Sequence, residues 1–171
     1  MSTILNTNGE NLVLPEIDSR VQGNFVVITA EWNKDITYSL RDGAVATLKA
    51  CGVGDDKIKC VSVPGTVELV NGAGFYCRRE GTSAVIVIGV VIRGDTPHFD
   101  YVCQIAAEGV ALLNSRGEVP VIFGVLTVDT PQQAIERAGG RLGNKGSEAA
   151  SAAVAMANMH AEAEKSPANN I

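Results

Sequence analysis

Three long apolar runs without polar alternation constrain the fold of this chain most strongly. They are FVVITA at residues 25–30, AVIVIGVVI at 84–92 and VIFGVLTV at 121–128. Each is rich in β-branched residues, as are strands that are buried on both faces of a parallel sheet. A weaker fourth run, KIKCVSV at 57–63, ends before a Pro-Gly pair. The four runs therefore predict a parallel sheet.

Segments with helical spacing follow these strands along the chain. They cover residues 36–50, 67–79, 97–114 and 131–138, and a further, alanine-rich helix is predicted over 146–164. Parallel strands joined by helices need right-handed crossovers, which place helices on both faces of the sheet. The pattern predicts an α/β fold, a three-layer α/β/α sandwich with a four-stranded parallel sheet, of the flavodoxin-like kind.

Length and charge restrict the organisation and the partners. The 171 residues suffice for one domain, predicted over 24–165, with an N-terminal arm or edge strand over 1–23 and a flexible tail over 166–171. The net charge of −5 argues against nucleic acid as a partner. The sequence shows neither a signal peptide nor an apolar run of membrane-spanning length, so we expect a cytoplasmic protein with no membrane partner.

The four cysteines do not form a metal-binding pattern. They lie far apart, no C-x-x-C occurs, and the chain has only two histidines to complete a site. We therefore predict no metal, and expect the cysteines to be reduced, buried, small apolar residues.

Ligands of open α/β sheets lie outside the carboxyl ends of the strands, so the junctions after the four runs are the candidate site. In chain order these junctions read EWN, VPGTVE, RGDTPH and TVDTP. Trp32 in the first junction can stack on a ligand ring, although an aromatic residue at a strand end is more often core or lid. Glu68 in the second can accept hydrogen bonds from sugar-like hydroxyls, or it is a surface carboxylate favoured by a helix dipole.

The third junction carries the clearest chemical signal. Thr96 followed by Pro97 predicts a helix start, with Thr96 as the cap and Pro97 at the first helical position. The free N–H groups and the positive end of the helix dipole suit a phosphate, and His98 lies in the first turn as a candidate proton carrier. The structural alternative is a well-capped helix with an exposed histidine.

The fourth junction repeats the Thr-Pro start at Thr130, and Gln133 completes a predicted capping box. Arg137 ends the short helix that follows, and Lys145 lies in the glycine-rich segment beyond it. By themselves these cations complement a helix dipole and a solvated loop, and only a nearby anion would give them a function.

Taken together, the junctions resemble the lumazine synthase family. The resemblance rests on WNKDI, VPGTVEL, GVVIRGDTPHFDYV, VIFGVLTVDTPQQAIERAG and GNKGSEAA, and it runs from about residue 24 to residue 159. It implies an enzyme that condenses 5-amino-6-(D-ribitylamino)uracil with 3,4-dihydroxy-2-butanone 4-phosphate in riboflavin biosynthesis. Phosphate and water are released, and no cofactor is used.

The resemblance also assigns roles to particular residues. It implies that His98 transfers protons and that Asp95, Thr96 and Arg137 bind the phosphate. Supporting roles fall to Glu136 and Lys145. The pyrimidine and ribityl contacts fall to Trp32, Asn33, Thr66, Val67, Glu68, Val90, Val91, Ile92 and Phe123.

Three positions depart from the family pattern. Trp32 and Val67 stand where many relatives carry phenylalanine, so stacking is kept at the first position and lost at the second. Asp95 places a carboxylate beside the implied phosphate site, and we expect its side chain to point away from the anion.

The resemblance further implies a pentamer whose sites form between neighbouring subunits. Phe123, Arg137 and Lys145 would then reach the pocket of the partner. The compact loop 139–143 favours assembly of pentamers into an icosahedral shell, and whether riboflavin synthase is a partner stays open.

Two other functions compete with catalysis. A non-catalytic carrier of lumazine or flavin on the same scaffold is one, although His98 and Arg137 argue against it. A response-regulator-like phosphoacceptor domain is the other, and it lacks the acidic cluster that it needs after the first strand, where Glu31 stands alone.

Overall fold

The computed structural model describes residues 10–163 and confirms the α/β sandwich. Its sheet contains β1 (Asn24–Ala30), β2 (Ile58–Val63), β3 (Thr82–Ile92) and β4 (Val121–Val128). The strands are all parallel and lie in the order β2-β1-β3-β4. The three strong runs and the weaker fourth thus form the predicted four-stranded sheet.

In the described residues 10–163, five α-helices cover the two faces of this sheet. They are α1 (Lys34–Ala50), α2 (Glu68–Cys77), α3 (His98–Asn114), α4 (Pro131–Arg137) and α5 (Lys145–Ala163), with a 3₁₀ turn at Asp55–Lys57. Buried residues of α1, α4 and α5 share one core with the sheet, and those of α2 and α3 share the other. The predicted last residue of α5, Glu164, lies outside the described residues.

The central strands explain why the apolar runs show no polar alternation. Along β1, Phe25 and Val27 face the α1/α5 core, whereas Val26 and Ile28 face the α2/α3 core. These side chains are at most 1% exposed. Full burial of a side chain of this size contributes about 1.5–3 kcal/mol, and both faces of the strand gain it.

A short antiparallel hairpin follows α4, and the sequence did not predict it. Its strands are β5 (Ala138–Gly140) and β6 (Gly143–Asn144). Gly139 and Gly143 adopt φ values of 106° and 78°, which side chains larger than hydrogen disfavour. The helix predicted to reach residue 138 therefore ends at Arg137.

The hairpin and the start of α5 are attached to α1. The Ser39 hydroxyl of α1 donates to the Ala138 carbonyl. The Ser39 backbone carbonyl accepts from the side-chain amide of Asn144, with a nitrogen-to-oxygen distance of 3.0 Å. At Gly146 the two helices approach so closely that a β-carbon would collide with the Leu40 carbonyl oxygen. Both strands of the hairpin are therefore fixed to one point of α1.

The cysteines are all free thiols, but only Cys51 is fully buried. Cys77 and Cys103 are half-buried, and Cys60 is exposed, so the expectation of four buried cysteines is wrong. Cys60 lies on the edge strand β2, where one side of the strand has no neighbour to cover it. Desolvation nevertheless raises the pKa of all four thiols, which keeps them protonated near neutral pH.

Residues 10–23 run along their own subunit. Leu14, Ile17 and Val21 pack against the α1/α5 core, and the Ile17 N–H donates to the Cys51 carbonyl at 2.8 Å. Asn158 of α5 accepts from the Asp18 N–H at 2.9 Å. The rest of the predicted arm and the predicted tail 166–171 lie outside the described residues.

None of the helices in 10–163 is long and apolar enough to span a membrane.

Candidate active site

Strand order places the four predicted junctions side by side along the carboxyl edge of the sheet. The junction after β1 lies between those after β2 and β3, and the junction after β4 lies at the outer end. Residues that are distant in sequence can therefore act on one ligand at this edge.

The side chains of Trp32 and Glu68 both lie next to Gly65. The backbone N–H of Trp32 donates to the Pro64 carbonyl at 3.3 Å, which holds the first two junctions together. A β-carbon on Gly65 would lie 2.9 Å from the Glu68 Oε2 atom and 3.3 Å from the Trp32 Cε3 atom. Trp32 is 68% exposed, so its ring remains available for stacking.

Asn33 makes the sharp turn that directs Trp32 outward. It adopts the left-handed conformation with φ 59° and ψ 51°, which asparagine tolerates better than most residues. Its carbonyl accepts from the N–H groups of Ile36 at 2.9 Å and Thr37 at 3.0 Å, so α1 starts immediately afterwards.

Thr66 joins the second junction to β3. Its side chain is 6% exposed, and its hydroxyl lies 3.4 Å from the Val90 carbonyl, at the outer limit of a hydrogen bond. Val90 and Val91 are buried, and Ile92 and Val67 are partly buried. The end of β3 is therefore a firm apolar wall beside Thr66.

The start of α3 differs from the prediction. The helix begins at His98 with Pro97 at the N-cap position, and no side chain caps it. The expected Thr96 cap is therefore wrong. Within residues 10–163, the N–H groups of Gly94, Asp95, Thr96, His98 and Phe99 have no hydrogen-bond acceptor. This junction presents unpaired donors that an anion can accept from.

A residue that sequence reasoning passed over binds this junction to its neighbour. The Arg93 Nε donates to Asp129 at 2.8 Å, and its Nη1 donates to Asp100 at 3.3 Å. Its guanidinium carbon also lies 4.0 Å from the centre of the Phe99 ring. Its position immediately after a predicted strand and before a predicted helix is the sequence signal that could have identified it.

The fourth junction has the predicted capping box. The Thr130 hydroxyl accepts from the Gln133 N–H at 3.3 Å, and the Gln133 side chain accepts from the Thr130 N–H at 3.4 Å. At the end of α4, the Arg137 guanidinium donates to the Gln133 carbonyl at 3.0 Å. In the described part of the chain Arg137 has no carboxylate within salt-bridge distance, whereas Glu136 pairs with Arg141 at 3.3 Å.

Phe123 lies away from the carboxyl edge of the sheet, and Lys145 lies at the start of α5. Phe123 lies five residues before the end of β4, roughly 16 Å from the carboxyl edge at ~3.3 Å per residue. Its side chain is 37% exposed on the outer strand of the sheet. Lys145 starts α5 and pairs with Glu148 at 2.7 Å.

The fold is that of an α/β protein whose carboxyl sheet edge carries an exposed aromatic ring after β1 and, within residues 10–163, unpaired N–H donors after β3. Across residues 10–163, no group of three or more His, Cys, Asp or Glu side chains is arranged to hold a metal ion.

Comparison with known proteins identifies the family. Residues 22–161 match the family model described as 6,7-dimethyl-8-ribityllumazine synthase, and the chain belongs to this family. It is similar to proteins of that name from Bacteroides fragilis, with 50% identity over 77% of this chain and 92% of the relative, and from Porphyromonas gingivalis, with 52% over 78% and 83%. A third, from Flavobacterium johnsoniae, is 43% identical over 90% of this chain and 84% of its own.

Proposed function

We infer that this chain is an enzyme with lumazine synthase activity. It joins 5-amino-6-(D-ribitylamino)uracil to 3,4-dihydroxy-2-butanone 4-phosphate and releases phosphate and water, a step of riboflavin biosynthesis. The observation that supports the chemistry most directly is the uncapped start of α3, where unpaired N–H groups lie beside His98 at the same edge as Trp32 and Glu68. An anion site and a stacking site are what the two substrates need.

The pyrimidine and its ribityl chain are assigned to the first and second junctions. The exposed Trp32 ring stacks on the heterocycle, and Glu68 accepts hydrogen bonds from ribityl hydroxyls. Thr66 and Val67 line the chain, and Asn33 supports the turn. The wall of this pocket comes from Val90, Val91 and Ile92, and Phe123 comes from a partner subunit.

The phosphate is assigned to the third junction. The N–H groups of Asp95 and Thr96 and the Thr96 hydroxyl donate to it, in the positive field of α3. The Asp95 side chain is exposed and has no ion-pair partner in residues 10–163, so it is free to point into solvent. Arg137 of a partner subunit, which lacks a carboxylate partner in its own described chain, completes the site with a planar pair of donors. Glu136 and Lys145 support it.

His98 transfers protons in the reaction. The pyrimidine amine attacks the ketone carbonyl, and water leaves to form an imine. Phosphate is then eliminated, and the resulting enol tautomerises to a second carbonyl. The ribityl-bearing nitrogen attacks this carbonyl and closes the ring with loss of a second water. His98 is exposed at the first position of α3, next to the phosphate donors. Holding two substrates together supplies on the order of 7–11 kcal/mol, and general acid–base catalysis contributes ~10²–10⁴-fold, so loss of His98 slows the reaction without abolishing it.

The proposed pentamer has support in the exposed apolar surface of α3. Tyr101, Ile105 and Leu112 recur at helical spacing on one side of this helix and are 64%, 47% and 66% exposed. Ile135 beside Arg137 is 52% exposed. A neighbouring copy that covers these side chains would bring its own Arg137 to the site. Assembly of pentamers into a shell and association with riboflavin synthase extend this proposal.

The activity is tested with purified protein and both substrates. Lumazine formation is followed by absorbance and fluorescence in the wild type, Arg137→Ala and His98→Ala. We expect catalysis well above the spontaneous reaction, a severe loss in Arg137→Ala and a partial loss in His98→Ala. Tight lumazine binding without acceleration would reject catalysis and support the carrier alternative.

The subunit arrangement has a separate test. Mixing His98→Ala with Arg137→Ala under conditions that exchange subunits forms some sites with both residues intact. Activity that rises above either variant alone supports a shared site, and activity that stays at the mean of the two contradicts it. Light scattering gives the mass and separates pentamers from shells.

A further inference from the structure

We propose that Arg93 is a positioning residue for the phosphate site, which holds the start of α3 against the β4–α4 junction. The proposal rests on the proposed function, because it gives Arg93 a role in binding the ketone phosphate. Arg93 itself acts through the N–H groups of residues 94–96, 98 and 99 and does not need to touch the substrate.

The contacts of Arg93 join three elements at one point. Its backbone N–H donates to the Val128 carbonyl at 2.9 Å and so extends the ladder of β3 and β4 by one residue. Its side chain donates to Asp129, the residue before the Thr130 cap, and to Asp100 in the first turn of α3. The junction between Arg93 and α3 has no other side-chain hydrogen bond in residues 10–163.

The guanidinium also balances charge near the proposed phosphate. Asp95, Asp100 and Asp129 place three carboxylates around the start of α3, and Arg93 pairs with the last two. The hydrogen bond to Asp129 raises the pKa of Arg93 above its ordinary value, so the cation persists at all working pH values. Without it, unpaired carboxylates would repel the phosphate.

The shape of arginine matters as well as its charge. One planar group donates to two carboxylates and lies 4.0 Å from the Phe99 ring centre, where a cation over an aromatic face is favourable. A lysine ammonium is a point charge that cannot reproduce this geometry. We therefore expect the KM of Arg93→Lys for the ketone phosphate to lie between those of the wild type and Arg93→Gln.

The chain provides a matched control. Arg41 on α1 also donates to a carboxylate, Asp42 at 2.9 Å, and lies 4.2 Å from the Tyr38 ring centre. Its contacts stay within one helix, far along the chain from the α3 junction. Arg41→Gln removes the same groups from the surface and leaves the proposed site intact.

Steady-state kinetics with each substrate varied in turn test the role. In Arg93→Gln we expect the KM for the ketone phosphate to rise about tenfold, the size of effect of one lost charge-assisted hydrogen bond. In Arg93→Gln, the KM for the pyrimidine stays within about twofold of the wild type. In Arg41→Gln, the KM values for both substrates do so. An unchanged KM for the ketone phosphate in Arg93→Gln, or an equal rise in both KM values, would overturn the proposal.

A binding measurement separates this proposal from the proposed function. Inorganic phosphate is titrated into wild type, Arg93→Gln and Arg41→Gln by calorimetry. A weaker phosphate affinity in Arg93→Gln alone supports positioning even if the wild type makes no lumazine, which would reject only the enzymatic function. Equal affinities in the three proteins overturn the role of Arg93.

Discussion

The same tripeptide, Asp-Thr-Pro, precedes two helices of this protein, and the two copies fold differently. At Asp129-Thr130-Pro131 the threonine caps α4, and Pro131 is the first helical residue. At Asp95-Thr96-Pro97 the threonine caps nothing, and α3 begins one residue later at His98. The difference arises three residues after the threonine, where α4 has Gln133 and α3 has Phe99.

A capping box needs a side chain that reaches back to the cap residue, and phenylalanine has no acceptor for this. Phe99 instead packs against the α2/α3 core and lies beside Arg93. Within residues 10–163, the five N–H groups of the α3 junction have no acceptor, whereas the N–H groups of Asp129, Thr130 and Gln133 at the α4 junction are all paired. The unpaired donors of the α3 junction support the proposed phosphate site, whereas the α4 junction stabilises its own helix.

Adding a carboxylate to each junction gives the largest expected contrast. Thr96→Asp places a negative charge among the proposed phosphate donors, and we expect kcat/KM for the ketone phosphate to fall about a hundredfold, or roughly 2.7 kcal/mol. Thr130→Asp retains a cap of equal quality, so its activity stays within about twofold of the wild type. Steady-state kinetics measure both, and equal losses would contradict the division of roles.

Removing the hydroxyl has a smaller effect on substrate binding. Thr96→Ala loses one donor to the phosphate, and we expect the KM for the ketone phosphate to rise about tenfold. Thr96→Ser keeps the hydroxyl and recovers most of the affinity. A KM that does not change in Thr96→Ala would show that the phosphate lies elsewhere.

When stability is measured instead of activity, truncation of Thr130 has a larger expected effect than truncation of Thr96. Thr130→Ala removes an observed cap and costs about 1 kcal/mol, which lowers Tm by about 2–4 °C in a chain of this size. Thr96 caps no helix, so Thr96→Ala leaves Tm almost unchanged. Thermal unfolding in phosphate-free buffer checks both variants, and a larger loss in Thr96→Ala would mean that it caps α3 in solution.

Gln133→Ala gives the smallest effect. It removes the two bonds that the Gln133 side chain accepts, from the Asp129 N–H at 2.8 Å and the Thr130 N–H at 3.4 Å, and leaves the Thr130 hydroxyl to accept from the helix. Because both lost bonds are exposed to solvent, we expect a loss of about 0.5 kcal/mol. A double-mutant cycle with Thr130→Ala measures the coupling. If the two losses add fully, the box is not a cooperative unit.

The sequence predicted the sheet because burial on both faces leaves a direct trace in β1, β3 and β4. It did not predict the hairpin after α4, since strands of three and two residues are too short to show periodicity. The exposure of Cys60 was mispredicted for a related reason. Whether a strand lies at an edge depends on strand order, which the runs themselves do not specify.

The sequence correctly placed the four junctions along one edge of the sheet, but it did not predict the individual contacts between them. The rule that ligands bind at carboxyl ends located Trp32 and Glu68 correctly at one edge, but their meeting over Gly65 follows from the adjacency of β1 and β2. The Arg93 contacts escaped prediction because Asp129 is 36 residues away in sequence. The roles of the site residues remain proposals for the kinetic tests above.

The attachment of the β5–β6 hairpin to Ser39 has a consequence for how subunits close a ring. Arg137 precedes this hairpin and Trp32 precedes α1, so each subunit holds the two residues at a spacing set by its own rigid frame. In a ring that shares sites, the same spacing would repeat at every interface. The number of subunits would then be decided by the angle at which two surfaces meet, and a substitution at Gly146 would disturb every site in the ring at once.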